Sequence, residues 1–308
     1  MKTDWVENYL VKLHNGYYEN NIADYIKDKA NNTPNCLYKY CSPSKNSIRN
    51  FENDLIYLQH PSKFNDPFDS MLGYSKKDLY NNFFFAAMEK EDKYKKYIPL
   101  LKQYDVDFSE KANIPIIRDI LFKRVNDGMD QIAEYSNEIF PKLQLKNYKV
   151  SCFSEINNSE LMWAHYARSH TGYCIGYDLR YNEKIDNNVD SFLLPVIYSE
   201  YRPKITDSFL DVDNILSATN SDDTIAKVVF HLLHKSKQWE YEKEWRITTI
   251  QEGNTLNVPT PKAVYLGVNI DKYDKETIVS IAKRKKIPVY QMKLSEEKYE
   301  FDKPELVK

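Results

Sequence analysis

The stretch VYLGVNIDKYDKETIVSIAKRKKIPVYQMK, residues 264–293, decides the fold. Its two ends, Val264–Val268 and Val289–Lys293, are short runs rich in β-branched and aromatic residues and read as strands. The segment between them, Lys275–Lys285, reads as a helix, so the whole is a βαβ unit. Working outward, strands are expected at Cys36–Tyr40, Asp54–Leu58, Tyr148–Phe153, Gly172–Leu179, Leu193–Tyr198 and Glu244–Thr249. Helices are expected at 3–30 (a pair broken near Asn15-Gly16), at 45–52, at Glu160–Arg168 and at Asp222–Lys237. Ser75 and Asp78 start a helical block over 75–140 with a capping-box-like pair, and no strand signal interrupts it. The expectation is an α+β protein with a mixed or split β-sheet core. N-terminal helices (1–35) precede a single domain (36–295) with a helical insertion at about 75–140, and a C-terminal tail covers 296–308.

Composition narrows the function classes. The 308 residues contain 43 basic and 45 acidic side chains, a net charge of −2, which argues against broad electrostatic coating of nucleic acid but leaves a local basic groove open. Only 7 Gly are present, and neither G-x-G-x-x-G nor G-x-x-x-x-G-K-[ST] occurs, against a dinucleotide-binding Rossmann fold or a P-loop NTPase. Aromatics are abundant, with 25 Tyr and 14 Phe, and suit a core whose phenols keep polar partners. Cys36, Cys41, Cys152 and Cys174 form no C-x-x-C pair and read as free thiols. The amino terminus turns polar too soon for a signal peptide, and no apolar run approaches the ~20 residues of a membrane helix. A cytoplasmic protein with no membrane partner is expected.

Three segments could carry chemistry. FNDPFD (Phe64–Asp69) packs Asn65, Asp66 and Asp69 around a proline directly after a strand. That is either turn chemistry or a polar binding loop at a strand end. SCFSE (Ser151–Glu155) is followed by a helix carrying Trp163, His165 and Tyr166; Trp163 and Tyr166 share a face, either as core or as a ligand platform. Ser154 and His165 lack the G-x-S-x-G elbow of a hydrolytic triad. In WEYEKEWRI (Trp239–Ile247), a regular strand would put Glu240, Glu242 and Glu244 on one face and Arg246 on the other. Such a row of like charges repels unless cations or a ligand neutralise it. His231 and His234 are three apart on the expected long helix but read as polar-edge histidines, so no tightly bound metal is expected.

Taken together, Leu37–Tyr40, Phe64–Asp69, Cys152–Glu155, Met162–Ala167, Gly172–Asp178 and Trp239–Arg246 resemble, in order, the motifs of the bacterial family catalogued as domain of unknown function 2971. At the level of motif order the chain is also similar to the split-sheet ADP-ribosyltransferases. That second resemblance implies NAD as substrate and Glu244 and Glu242 as the catalytic pair. It implies nucleotide contacts from Lys39 and from Tyr57 or Ser154; Asn65, Asp66, Trp163, His165, Tyr166 and Arg246, the polar and aromatic groups of the three segments, are expected to complete the nucleotide site. It further implies a macromolecular acceptor and a toxin or phage-defence role. Two other readings stay open: a magnesium-dependent nuclease effector using Asp66, Asp69 and Glu155 with Glu242, Glu244 and Lys243, and a non-enzymatic binding or interaction protein.

Overall fold

Strand β1 (Leu37–Cys41) pairs antiparallel with β4 (Tyr173–Tyr177) over five residue pairs, from Leu37 opposite Tyr177 to Cys41 opposite Tyr173. Both belong to the eight-stranded sheet of a computed structural model that describes residues 22–70, 147–180, 191–203 and 231–307, with a few further residues of 5–12 and Val229. The chain divides into two compact units, Met1–Ser70 with Leu145–Glu200 and Ser221–Lys308 in one, Met71–Gln144 with Tyr201–Asn220 in the other. The first unit holds the eight-stranded sheet; the expected insertion at 75–140 lies outside the described residues.

The sheet order is β12-β11-β10-β4-β1-β3-β8-β5, in which the remaining strands are β3 (Tyr148–Ser154), β5 (Ser191–Pro195), β8 (Glu244–Ile250), β10 (Ala263–Leu266), β11 (Val289–Leu294) and β12 (Phe301–Leu306). β10 and β11 run parallel, as the βαβ reading requires, and every other neighbouring pair is antiparallel; the fold is α+β with a mixed sheet. Small two-stranded ladders join β2 (Leu55–Tyr57) to β9 (Thr255–Asn257) and β6 (Ile197–Ser199) to β7 (His234–Ser236).

One face of the β1–β4–β10–β11 region buries Leu37, Tyr173, Ile175, Val264, Leu266 and Val289. Against them pack Phe51 of α2 (Lys45–Glu52) and Ile278, Ile281 and Ala282 of α4 (Lys272–Lys285); the first described helix, α1, is Ile22–Asn32. The other face carries Cys174 and Met292, covered by Trp163 of α3 (Glu160–Tyr166) and by Ala167. α3 begins on Ser159, whose Oγ accepts the Met162 N–H. It is closed by three successive left-handed residues, Arg168, Ser169 and His170 (φ 48°, 52° and 66°), so that the Ser169 and His170 N–H groups reach the Ala164 and Trp163 carbonyls. Gly172 follows because a Cβ there would lie 2.2 Å from the Cys41 carbonyl oxygen. The whole turn fixes where α3 ends, and hence where Tyr166 points.

The sheet is nearly divided at one joint. β1 and β3 share a single register pair, Tyr38 opposite Ser154, whereas β3 and β8 share seven. Past that pair the two strands diverge, and the Lys39 side chain crosses the gap to the Ser151 Oγ (2.8 Å) and the Cys152 carbonyl (3.2 Å).

Four local expectations are corrected. The helix expected over Asp222–Lys237 has given way by β7, because Ile197 and Tyr198 offer His234 and Lys235 a parallel strand to pair with. Glu240 and Glu242 do not alternate on a strand; Lys237–Glu242 is a 3-10 turn capped by Lys243 in the left-handed region, and β8 starts at Glu244, where the strand was expected. Arg246 shares the face of Glu244, since residues two apart on a strand point the same way. The segment 296–308 is more than a tail, because β12 pairs with β11 at the sheet edge.

Candidate functional site

A cavity of about 390 Å³ opens where β1 and β3 separate. Its wall includes Lys39 and the residues 150–153 of β3, Phe64, Asn65 and Asp69 of FNDPFD, His165 and Tyr166 of α3, and Lys235, Glu242, Glu244 and Arg246. Three segments separated by up to about 180 residues in sequence thus line one space.

One wall is a buried network of five charges. The Arg246 guanidinium, wholly buried, makes a bidentate pair with Asp69 (2.8 and 2.6 Å) and donates through Nε to Glu244 Oε1 (2.8 Å). It also donates to the Ser70 hydroxyl (3.2 Å) and lies over the Phe64 ring at 5.1 Å. Lys235 Nζ reaches Glu242 Oε2 (2.5 Å), Glu244 Oε2 (2.9 Å) and, farther off, Asp69 Oδ2 (3.7 Å). Tyr166 donates its phenol to Glu242 Oε1 (2.6 Å) and accepts from the Asn65 side chain. The two glutamates differ in state. Burial pushes the Glu242 carboxyl up, the neighbouring Glu244 adds to the rise, and Lys235 only partly opposes it. Burial also acts against ionised Glu244, but Arg246 and Lys235 outweigh it and hold this carboxyl well below its ordinary range. Burial works against the Lys235 ammonium too, yet Glu244 and Glu242 raise its pKa overall.

The opposite wall is different in kind. Among the described residues Lys39 Nζ has only neutral oxygen partners, and it lies 5.1 Å from the centre of the Phe153 ring. Lys63 adds a second, exposed ammonium to the lining, and Tyr38, Tyr40 and Tyr57 supply rings.

Of the residues singled out in sequence, Lys39, Asn65, His165, Tyr166, Glu242, Glu244 and Arg246 line the cavity, as does Tyr57. Three others do not. Trp163 is fully buried, its ring edge-on to Tyr40 and its indole N–H donated to the Asn157 carbonyl, so it is core. Ser154 is buried at the β1–β3 joint and donates to the Glu242 carbonyl (2.6 Å), a scaffold bond. Asp66 accepts the Phe68 N–H (2.8 Å) and shapes the FNDPFD turn. Lys235 was not anticipated; placed within an expected helix, it offered no signal that it would meet carboxylates seven and nine residues on. Asp69 stands within its motif in the sequence, but its bidentate partner, 177 residues away, is not readable there. The magnesium-nuclease arrangement is not met here, since Lys235 Nζ already occupies the space among Asp69, Glu242 and Glu244 and Glu155 accepts the Trp245 indole N–H instead.

The model of a family described as "Protein of unknown function (DUF2971)" matches residues 162–247. That span supports the family resemblance and takes in α3, Lys235 and the Glu242–Arg246 segment, while Lys39 and FNDPFD fall outside it. No curated protein and no solved structure matches the chain, so nothing there supports the ADP-ribosyltransferase resemblance. Among the described residues, no helix is long and apolar enough to cross a membrane.

Proposed function

We propose that the cavity binds a phosphorylated nucleotide, NAD first among the candidates, and that the chain cleaves its nicotinamide–ribose bond in the manner of an ADP-ribosyltransferase. The observation that carries this reading is Lys39: an ammonium on a cavity wall, held only by neutral oxygens, is a waiting partner for phosphate. Lys63 at the same lining adds to the attraction, and Phe64, Tyr57 and Tyr166 offer ring faces or edges to a base.

Breaking the glycosidic bond sends its electron pair out with nicotinamide and leaves positive charge on the ribose, as in glycoside hydrolysis. A carboxylate beside the ribose stabilises that charge. In this reading Glu242 takes that role, because its partners are a phenol and a shared lysine, while Glu244 is committed to Arg246 and Lys235. The acceptor then bonds to the ribose carbon and gives up its proton to the Glu242 carboxylate, which passes it to solvent. A macromolecular acceptor, as for a toxin or phage-defence effector, is the setting this chemistry suits.

Titration calorimetry with NAD, ADP-ribose and ATP tests the reading directly, with nicotinamide release followed by chromatography. Lys39→Met should weaken binding about ten- to a hundredfold, the value of one charge-assisted bond of roughly 1.5–3 kcal/mol. The absence of heat with all three ligands at millimolar concentration would overturn it.

A further inference from the structure

The charges around the cavity do not cancel locally. Asp69, Glu242 and Glu244 are three carboxylates facing the two cations Lys235 and Arg246, so the buried network, when fully ionised, carries one negative charge in excess. Glu242 is the member with the weaker compensation: among the described residues, Lys235, which it shares with Glu244, is its one cation, and the Tyr166 phenol its other side-chain donor. Across the cavity Lys39 carries a positive charge with no carboxylate partner among the described residues, and the exposed Lys63 adds a second ammonium at the lining. An excess anion and an unpaired cation therefore line the same space without meeting each other. Their complement is a molecule with the reverse pattern.

We infer that this cavity selects a dipolar ligand, one that sets its phosphate against Lys39 and a fixed positive charge against the Glu242 end. Resting on the nucleotide reading for its natural ligand, this means that NAD in its oxidised, cationic form is taken and the reduced form, with a neutral nicotinamide ring, is refused. A multiply charged nucleotide without a cation, such as ATP, satisfies Lys39 but leaves the Glu242 end unpaired. The selection is electrostatic and acts in a buried setting, where screening by salt is weak. A ligand cation beside Glu242 also favours its ionised form. Because burial holds this carboxyl toward the protonated state, binding of the cationic ligand releases protons and binding of the neutral one does not.

The test compares oxidised and reduced NAD by calorimetry in two buffers of different ionisation enthalpy. Beside them run phosphocholine and 3,3-dimethylbutyl phosphate, which has the same shape with carbon in place of the charged nitrogen. The expected result is at least tenfold tighter binding of oxidised NAD, with proton release, and the same preference for phosphocholine over its neutral twin. Glu242→Gln, which keeps the shape and leaves Lys235 its partner Glu244, should bring the two redox forms to within about twofold. Lys39→Met should weaken both equally. If Glu242→Gln does not fold, as judged by circular dichroism, Tyr166→Phe replaces it: without the phenol Glu242 holds its proton more firmly, so the preference should shrink while proton release on binding oxidised NAD grows, and an unchanged preference with unchanged proton release overturns the selection. Equal binding of oxidised and reduced NAD overturns the charge selection while leaving the nucleotide reading intact. Preference for phosphocholine with no NAD binding keeps the selection and overturns the nucleotide. No binding by any of the four overturns both.

Discussion

The two walls of the cavity are built on opposite principles. On the β8 side, Arg246 and Lys235 are buried and locked by bidentate and bridging bonds to Asp69, Glu242 and Glu244. On the β1 side, Lys39 reaches into the divided joint of the sheet and meets only a hydroxyl and a carbonyl. A buried charge network fixes geometry, because removing any member strands its partners in a medium that solvates them poorly. A cation with neutral partners keeps its capacity for an anion. The first wall is therefore scaffold as much as site, and the second holds the cation that our proposal assigns to a ligand. This contrast also accounts for charge-rich sequence that needs no ligand to explain it: most of FNDPFD and WEYEKEWR is held by its own internal pairing.

Breaking the first wall should have the largest effect. Arg246→Met preserves bulk but leaves Asp69 and Glu244 buried with Lys235 as their one remaining cation. It should cost about 3–5 kcal/mol of stability, the range for removing one partner of a buried pair. Chemical denaturation would read this as a lowered midpoint at an unchanged slope. A variant as stable as the parent would mean that the network is not the scaffold.

The two glutamates sharpen the comparison within that wall, at a smaller cost of roughly 1–3 kcal/mol for Glu244→Gln. Glu244 is held below the ordinary glutamate value of 4.5, so its contribution is present above that pH and is lost as pH falls. Glu242 is held above 4.5, so the folded protein retains its proton longer than the unfolded chain; that contribution is full below 4.5 and is lost as pH rises through the folded value. Denaturation midpoints followed from about pH 3 to 8 should thus respond oppositely. Glu244→Gln should reduce the fall in stability on the acid side, and Glu242→Gln the decline on the neutral side. Identical pH profiles for the two variants would show that the pair is not divided in this way.

How much of this was legible follows from where the information lies. The βαβ unit is local: each strand is a short apolar run and the helix lies between them, so the one parallel pair of the large sheet could be read directly. The polar segments were legible as unusual composition. Their division into site and scaffold was not, because it depends on partners far away in sequence. Trp163 shares a helix with Tyr166, yet one is sealed against Tyr40 and the other reaches Glu242. No spacing rule separates them, since both lie within the arc a short helix can bury. The register of Glu242 failed for a local reason: Lys243 takes a left-handed conformation, which ends the 3-10 turn and starts β8 one residue later. Charged residues in alternation resemble a strand, and only backbone geometry shows that the alternation breaks. Lys235 illustrates the same limit from the other side, because a parallel partner strand took it from an expected helix.

The smallest effect on stability is expected at Lys39, and it is the most informative about the second wall. Lys39→Met removes two hydrogen bonds, to Ser151 and Cys152, but strands no charge. The neutral acceptors left behind can be solvated from the cavity, and the methionine stem keeps its contact with the Phe153 ring. The loss of two bonds is further offset by release of the partial desolvation of the ammonium. We expect a net change of less than about 1 kcal/mol, against several for Arg246→Met. Hydrogen exchange at the β3 amides would add a local reading. If Lys39 served chiefly to hold β3 to β1 across their single register pair, exchange there should rise sharply and stability should fall by as much as for Arg246→Met. If it is a receptor for an anion, exchange in the free protein should change little, while the protection gained on adding NAD should need about ten- to a hundredfold more ligand in the variant.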